Sequence, residues 1–346
     1  MDTQTPLFGM TLGELQTCVA AYGLPGYTAR QIADWLYSKK IESIDDMSNL
    51  SKQARALLNE HHVIGRTPPQ ESCTSKDGTR KYLFATAHGQ FIETAMIPTE
   101  TRKTVCVSSQ VGCKMGCVFC MTGKQGFQGQ LTAGEILNQV WSIPEHEDGI
   151  TNIVYMGMGE PLDNLDEVLK SIEILTSDWG AAMSPRRITV STIGILPGVT
   201  RFLKECEAHL AISLHTPFPE ERQELMPVQN AHPLEEVIDA LREWDFSGQR
   251  RVSFEYIVFG GLNDSARHAR ELIRLLAGIV CRINLIRFHP IPGTALARTD
   301  EDTMQRFKDF LNRKGVLTTV RASRGVDIYA ACGLLSTTAA GEKSSE

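Results

Sequence analysis

From about residue 104 onward, short β-branched segments alternate with amphipathic segments, and this alternation limits the folds that the chain can adopt. The predicted strands are TVCVSS, NIVYMG, RITVSTIG, HLAISLH, VSFEYIVFGG and RINLIRFH. The predicted helices are AGEILNQVWSI, LDEVLKSIEILTS, LPGVTRFLKE, PLEEVIDALREW, SARHARELIRLLAG and EDTMQRFKDFLNRK. Six βα units in series predict an α/β fold whose parallel sheet has its helices outside. The sheet is either open and doubly wound or a partial barrel.

The patterns outside this region divide the chain into four parts. Residues 1–70 contain amphipathic helical segments such as LPGYTARQIADWLYSKK and predict a small helical domain. Residues 71–100 hold two alternating runs joined through AHGQ, which predict a linking β-hairpin. Residues 101–335 carry the βα units, and residues 336–346 are expected to form a disordered tail.

Four cysteines lie within fifteen positions around the end of the first predicted barrel strand. Cys113, Cys117 and Cys120 have the spacing C-x3-C-x2-C, on a loop whose glycines allow a tight turn. Three thiolates on one loop suit a cubane iron–sulfur cluster with one iron left open. A structural zinc ion would require a fourth ligand, for which Cys106 is the local candidate. The spacing by itself leaves both kinds of site open.

Polar residues also end several of the other predicted strands. The second strand ends in GMGEP, Gly157–Pro161, whose glycines allow close backbone approach to a ligand and whose Glu160 adds a carboxylate. Ser191 ends the third strand, Ser213 and His215 end the fourth, and His289 ends the sixth. Each of these residues alone is more often structural. Together they predict one pocket at the carboxyl edge of the sheet.

Charge and hydropathy narrow the class of protein. The 346-residue chain has a formal net charge of −6, which argues against a non-specific nucleic-acid coat protein. A local basic groove remains compatible with the pairs Arg80/Lys81, Arg102/Lys103, Arg186/Arg187 and Arg250/Arg251. The N-terminus shows no secretory signal and no apolar run approaches the length of a bilayer, so we expect a cytoplasmic protein without a membrane partner.

The C-x3-C-x2-C loop after the first strand of a six-unit α/β pattern resembles the radical S-adenosylmethionine (SAM) enzymes. More narrowly, CVSSQVGC, CVFCMTGKQGF, LTAGEI, GMGEPL and AACG resemble, in order, the RlmN/Cfr family of ribosomal RNA adenine methyltransferases. The resemblance runs from about Lys76 to Leu334, and the helical N-terminus fits the accessory RNA-binding domain of that family. It implies a partial (βα)6 barrel, a [4Fe-4S] cluster and SAM as cofactor.

The resemblance also implies a role for each matching residue. The cluster ligands would be Cys113, Cys117 and Cys120. Cys332 would accept a methyl group from one SAM, and a radical made from a second SAM would activate that methyl group for addition to adenine. Cys106 would then release the RNA by forming a disulfide with Cys332, and Glu93 would accept the proton as the ring regains aromaticity. The implied SAM contacts are Gly159, Glu160, Ser191, Ser213, Leu214, His215 and His289, the last standing where many members carry asparagine.

Three functions follow as hypotheses. The favoured one is methylation of adenine C2 in 23S ribosomal RNA by a monomer that takes electrons from an external donor, with transfer RNA as a second candidate substrate. The second is the same chemistry at adenine C8, as in the Cfr branch. The third is a metal-stabilised RNA-binding module without catalysis, in which Cys332 would be dispensable.

Overall fold

Ten strands form one continuous sheet in the computed structural model, which describes residues 4–146 and 149–337. In chain order these strands are β3 Glu71–Thr74, β4 Arg80–Ala85, β5 Phe91–Pro98, β6 Lys103–Cys106, β9 Asn152–Tyr155, β10 Ile188–Thr192, β11 His209–Ser213, β12 Val252–Val258, β13 Cys281–Arg287 and β14 Thr318–Val320. Two short pairs stand apart from the sheet: β1 Thr5–Pro6 with β2 His62–Val63, and β7 Gln110–Val111 with β8 Gly129–Gln130.

The helices are α1 Leu12–Ala21, α2 Tyr27–Ala33, α3 Lys52–His61, α4 Met121–Gln125, α5 Ala133–Trp141, α6 Leu165–Thr176, α7 Leu196–Glu205, α8 Pro219–Leu225, α9 Leu234–Arg242, α10 Ala266–Leu275 and α11 Glu301–Arg313. The six predicted barrel helices are present, and the short helices α4 and α8 were not predicted. The start of α5 is fixed by residues close together in the sequence. Thr132 accepts a hydrogen bond from the amide of Glu135, and the Glu135 carboxylate accepts one from the amide of Thr132, which forms a capping box.

The order of the parallel strands distinguishes the two predicted architectures. From β6 through β9 to β14, every strand pairs with the next one in the chain, and all these pairs are parallel. Right-handed crossovers that always advance in one direction place every helix on the same face, so the sheet curls around its other face. A doubly wound sheet would reverse its strand order. The fold is therefore a partial barrel, and β14 adds a seventh parallel strand that was not predicted.

The linking segment is part of the same sheet. Strands β3, β4 and β5 run antiparallel to one another, and β5 pairs with β6 through Ala95 and Cys106. The predicted hairpin thus corresponds to β4 and β5, and it extends the barrel sheet at the edge opposite β14. This pairing places the strand that carries Glu93 beside the strand that carries Cys106.

The N-terminal helices pack onto the barrel through a shared apolar core. Phe8 lies 5.6 Å from Tyr37 and 5.8 Å from Trp141 of α5, measured between ring centroids. Leu15, Ile32 and Leu58 are fully buried in the same core. Aromatic pairs at these separations add to the stability that burial provides. No described helix is long and apolar enough to cross a bilayer.

The C-terminal segment is held in place as far as it is described. The side chain of Thr122 in α4 donates to the carbonyl of Leu335, and the side-chain amide of Gln125 donates to Thr337. Ser336 and Thr337, which the sequence placed in a disordered tail, therefore make defined contacts instead. The rest of the predicted tail, 338–346, lies outside the described residues.

Candidate active site

The cysteine loop leaves β7 and ends at the start of α4. Gly112 and Gly116 have φ values of 69° and 65°, in the left-handed region that glycine adopts at low cost. A side chain at Gly112 would also collide with the carbonyl oxygen of Gly126, which lies 1.7 Å from the position of a Cβ atom. Cys117 is buried, whereas Cys113 and Cys120 are partly exposed. The loop therefore needs glycine at position 112 in order to close on itself.

All three cysteines line one cleft at the carboxyl ends of the barrel strands. The cleft contains about 900 Å³ of space, including the part open to solvent. Five of the predicted SAM contacts line it together with the cysteines: Gly159, Glu160, Ser191, Ser213 and His215. The predicted pocket at this edge of the sheet is therefore present.

Glu160 is held in a fixed position at the floor of this cleft. Its carboxylate accepts hydrogen bonds from the amides of Leu162, at 3.0 Å, and Ile193, at 2.9 Å. Burial raises the pKa of Glu160 to about 7, although these hydrogen bonds oppose the rise. The neighbouring Gly159 has a φ of 97° and packs against Gln110, with no room for a Cβ atom. The packing against Gln110 therefore requires a glycine at position 159.

His215 presents a neutral imidazole to the cleft. Its Nδ1 accepts a hydrogen bond from the amide of Ile257 at 3.0 Å, so the ring proton lies on Nε2, which is then a donor. Burial, assisted by Arg222, lowers the pKa of His215 to about 3. The residue has a left-handed φ of 59°, and Phe119 from the cysteine loop packs edge-on against its ring at 4.8 Å.

Arg222 places a cation beneath the cysteine loop, and sequence reasoning missed it. The side chain is fully buried and donates to Gln229 and to the carbonyls of Ile193 and Ser213. Its Nε has no hydrogen-bond partner among the described residues. Its charge acts on Cys117. A lone arginine on the short helix α8 gives no sequence signal of this role.

The donor set fits a cubane cluster. Burial raises the pKa of Cys113 to about 12 and that of Cys117 well above the usual thiol range, so thiolates here need a neighbouring positive charge such as iron. Within residues 4–146 and 149–337, no three Cys, His, Asp or Glu side chains converge tightly enough for a single metal ion. A closed zinc site would need that convergence, whereas a cubane spreads its ligands around four irons. Cys106 is not among the residues lining the cleft.

Cys332 stands between this cleft and a second cavity that contains Cys106. It lines the cleft together with the three cluster cysteines, and it lines the second cavity together with Cys106. The cysteine loop holds it there, because the amide of Met121 donates to the carbonyl of Gly333 at 2.8 Å. Cys106 and Cys332 are both free thiols. Burial, and then the neighbouring Cys332, raise the pKa of Cys106 to about 12.

Glu93 lies beneath the segment that follows Cys332. One carboxylate oxygen is 2.7 Å from the ammonium of Lys81, and the other accepts from the amide of Ser336 at 2.9 Å. Burial raises the pKa of Glu93, and Lys81 opposes the rise. Glu93 is not among the residues that line either cavity.

Two of the predicted SAM contacts lie elsewhere. The side chain of Leu214 is fully buried in the main core and does not line the cleft. His289 lines the second cavity with Cys106 and Cys332, and its Nε2 is 3.0 Å from the hydroxyl of Ser323. The structure therefore brings together five of the seven predicted contacts.

Comparison with known proteins assigns the family. Residues 107–275 match the Radical SAM superfamily, and residues 5–64 match the ribosomal RNA large subunit methyltransferase N-terminal domain. A probable dual-specificity RNA methyltransferase RlmN of Parabacteroides distasonis is 60% identical over 337 residues, covering 97% of this chain and 98% of that protein. The chain belongs to the RlmN family.

A more distant member and a solved structure agree with this assignment. The dual-specificity RNA methyltransferase RlmN of Nautilia profundicola is 42% identical, covering 90% of this chain and 92% of that protein. A radical SAM methyltransferase from Sphaerobacter thermophilus, also 42% identical, superimposes with a TM-score of 0.89 over 96% of this chain and 99% of its own. The protein is a radical SAM methyltransferase, an enzyme class that uses a [4Fe-4S] cluster and SAM. A non-catalytic binding module is thereby excluded.

Within this RlmN fold, an ion pair that the sequence did not reveal joins the two cavities. Arg321 follows β14 and is 3.1 Å from the carboxylate of Glu255 on β12. Arg321 lines both the cleft and the second cavity, and its charge acts on both Cys332 and Cys106. Burial opposes its ionisation, yet Cys332 and Glu255 raise the pKa of Arg321 above its ordinary value. The two residues are 66 positions apart, so no local pattern pairs them.

Proposed function

We propose that the chain methylates C2 of an adenine in 23S ribosomal RNA, and of an adenine in transfer RNA, through a methyl group carried on Cys332. The observation that carries the proposal is the position of Cys332, which is shared by the cleft of the cluster cysteines and the cavity of Cys106. The thiol of Cys332 can thus contact SAM on one side and the thiol of Cys106 on the other. The names of the relatives, dual-specificity RNA methyltransferases, favour both RNA substrates.

In this proposal the cleft binds SAM through the residues that line it. Cys113, Cys117 and Cys120 hold the cluster, which when bound supplies the electron that cleaves SAM. Glu160 and the backbone at Gly159 receive the ammonium group of SAM, because a cation there favours ionisation of a buried carboxyl group whose pKa is raised to about 7. Ser191 and Ser213 offer hydroxyls, and His215 offers its Nε2 proton. Leu214 contributes packing behind this surface, and His289 acts from the second cavity.

The two cysteines outside the cluster have different tasks. Cys332 is exposed and accepts the methyl group as a nucleophile. Cys106 is buried and has a pKa of about 12, so it rests as a protonated thiol and does not oxidise with Cys332 prematurely. It acts after the methylene carbon has joined the base: its thiolate attacks the sulfur of Cys332 and a disulfide forms. The sulfur–carbon bond breaks with its electron pair passing to the methylene carbon, which takes up a proton and becomes the methyl group of the product.

Glu93 is proposed as the acceptor of the proton lost from the modified ring carbon. Its raised pKa makes it a stronger base than an exposed carboxylate. Lys81 keeps one oxygen oriented, and the other oxygen becomes available to a substrate when the amide of Ser336 moves away. Movement of the segment after Cys332 would therefore accompany substrate entry.

The proposal is tested by mass spectrometry of the anaerobically reconstituted protein after incubation with SAM. We expect one methyl group on the peptide that contains Cys332, and none in a Cys332→Ala variant. Digestion of RNA modified by the enzyme then separates 2-methyladenosine from 8-methyladenosine. Detection of the 8-methyl isomer would replace C2 by the C8 chemistry of the Cfr branch, and absence of methyl from Cys332 would refute the mechanism.

We further propose that the enzyme works as a monomer in the cytoplasm and receives electrons from an external protein donor. One chain supplies all five cysteines that the cycle requires, which supports a monomer. Ribosomal and transfer RNA are cytoplasmic substrates. Light scattering of the purified protein tests the monomer, and reconstitution with candidate flavoproteins tests the donor.

A further inference from the structure

A third cleft opens at the amino ends of the barrel strands. It lies opposite the cleft lined by Cys113, Cys117 and Cys120, which we call the cluster cleft. The third cleft contains about 1460 Å³ of space. Six arginines line it: Arg321, which is paired with Glu255, and five others, Arg102, Arg186, Arg187, Arg251 and Arg282. We call this site the arginine cleft. Three of the four basic pairs seen in the sequence contribute to it. Lys103 and Arg250, the other members of these pairs, are not in the lining, and Arg250 donates to the backbone carbonyls of Leu203 and Cys206.

The inner wall of the arginine cleft is polar, which is unusual for a barrel. Thr104, Thr189, Ser253 and Asn284 line it, each near the start of a different strand. The interior of a (βα) barrel is normally filled with bulky branched side chains such as valine, isoleucine and leucine. Small polar residues at these positions leave a space that a polar ligand can enter.

The five arginines other than Arg321 have no counter-charge of their own. Among the described residues, none of the five guanidinium groups forms a hydrogen bond or ion pair. The one carboxylate in the lining, Glu255, is already paired with Arg321. Burial and three of these arginines also lower the pKa of His209, which lies within the lining. Five unpaired guanidinium charges around one space, in a chain of net charge −6, favour the binding of an anionic partner.

The arginine cleft also adjoins the reaction site. Met156 and Arg321 line the arginine cleft, the cluster cleft and the second cavity alike. Thr104 and Val154 are shared between the arginine cleft and the cavity of Cys106. A ligand anchored by the arginines can therefore extend past Met156 to Cys332 and Cys106.

We propose that the arginine cleft binds the phosphates of an unpaired RNA strand and so guides the target adenine into the barrel from its amino end. This inference rests on the proposed function, because that function supplies the RNA. Guanidinium groups bind phosphate in a fixed, two-pronged geometry. A base must leave its helix to react inside a protein, and the flanking phosphates then hold it in register. SAM and the RNA thus enter through opposite ends of one barrel.

The test measures binding of a labelled, unstructured single-stranded RNA to the cluster-loaded full-length enzyme over a series of salt concentrations. The variant Arg186→Gln/Arg187→Gln removes two exposed charges from the cleft. For single strands, log K falls with log salt by about 0.7 per phosphate contact, so losing two contacts lowers the slope by about 1.4. At 0.1 M salt, relative to a 1 M reference, this corresponds to about 25-fold weaker binding. A second double variant, Arg102→Gln/Arg251→Gln, removes charges from other parts of the cleft and is expected to lower the salt slope and the affinity by similar amounts.

The control variant Arg270→Gln/Arg313→Gln removes two exposed charges from the outer helices α10 and α11. It is expected to bind RNA as the wild type does. Equal weakening by the control and the cleft variants, or wild-type affinity and slope in both cleft variants, would overturn the inference. Methylation of Cys332 needs no RNA and is measured in every variant. If Cys332 of the wild type is not methylated, the proposed function fails. If Cys332 is methylated but the cleft variants bind RNA as the wild type does, only the proposed role of the arginine cleft is refuted.

Discussion

Replacement of Gly112 by alanine tests whether the shape of the cysteine loop is what binds the cluster. Gly112 and Gly116 lie in the same loop and have nearly equal φ values, 69° and 65°. They differ in the space around them. A Cβ atom at Gly112 would lie 1.7 Å from the carbonyl oxygen of Gly126, whereas at Gly116 the nearest atom is Cγ of Pro227 at 3.9 Å. Gly116→Ala is thus a matched control for the backbone strain alone.

The structure allows the size of the effect to be worked out. Each alanine carries a left-handed conformation that costs about 1–2 kcal/mol. At Gly112 the new methyl group and the carbonyl must also separate by about 1.3 Å before reaching the 3.0 Å below which such contacts essentially never occur. Overpacking of this kind costs a further 1–3 kcal/mol or so. Because Cys113 adjoins Gly112, the movement also displaces a predicted cluster ligand.

Two measurements check this expectation. Urea unfolding of the cluster-free protein is expected to show Gly112→Ala as the less stable variant by about 1–3 kcal/mol. Iron and sulfide content after anaerobic reconstitution is expected to fall sharply in Gly112→Ala and to stay near the wild-type value in Gly116→Ala. Equal stability and equal iron content in the variants of Gly112 and Gly116 would refute the reasoning.

Three further predictions concern the reactive groups. Cys106→Ala is expected to accumulate a covalent RNA adduct on denaturing gels while Cys332→Ala forms neither adduct nor product; normal turnover of Cys106→Ala would remove its release role. Burial raises the pKa of Glu160 from 4.5 to about 7, so the protonated carboxyl group stabilises the folded state fully below pH 4.5. This contribution to the free energy of unfolding is lost as the pH rises through about 7, a decline of about 3 kcal/mol at 1.36 kcal/mol per pH unit. Urea unfolding of the cluster-free protein should show this decline in the wild type but not in Glu160→Gln, and equal declines would contradict it. Arg222→Met removes a buried cation beside Cys117 and is expected to shift the cluster midpoint potential to more negative values in a redox titration, whereas an unchanged potential would show that Arg222 only supports the fold.

Local features of the fold were predictable because short-range physics determines them. Alternating apolar residues predicted six strands, which correspond to β6 and to β9 through β13, and the capping box that starts α5 is formed by residues only three positions apart. The three-residue strand β14 was missed because so short a segment carries no periodic signal. The choice between a barrel and a doubly wound sheet depended on strand order, which is a property of the whole sheet and not of any segment.

The candidate site divides in the same way. The spacing of Cys113, Cys117 and Cys120 predicted a common ligand because one tight loop must bring them together. The roles assigned to Cys106, Cys332 and Glu93 came from resemblance to a family, since nothing near them in the sequence distinguishes them from ordinary residues. Glu93 illustrates the difficulty: its partner Lys81 is a diagonal neighbour on the adjacent strand, and its other contact, Ser336, is 243 residues away.

The sequence by itself determined the series of βα units, the three-cysteine loop and the polar strand ends, because each depends on residues close together in the chain. Only the tertiary structure decided that Cys332 meets both the cluster cleft and Cys106, and that Arg321 pairs with Glu255 between them. It likewise brought six arginines, which lie far apart in an acidic chain, around one opening. These arrangements arise from the curl of the sheet, which brings the same end of every strand together whatever their separation in sequence.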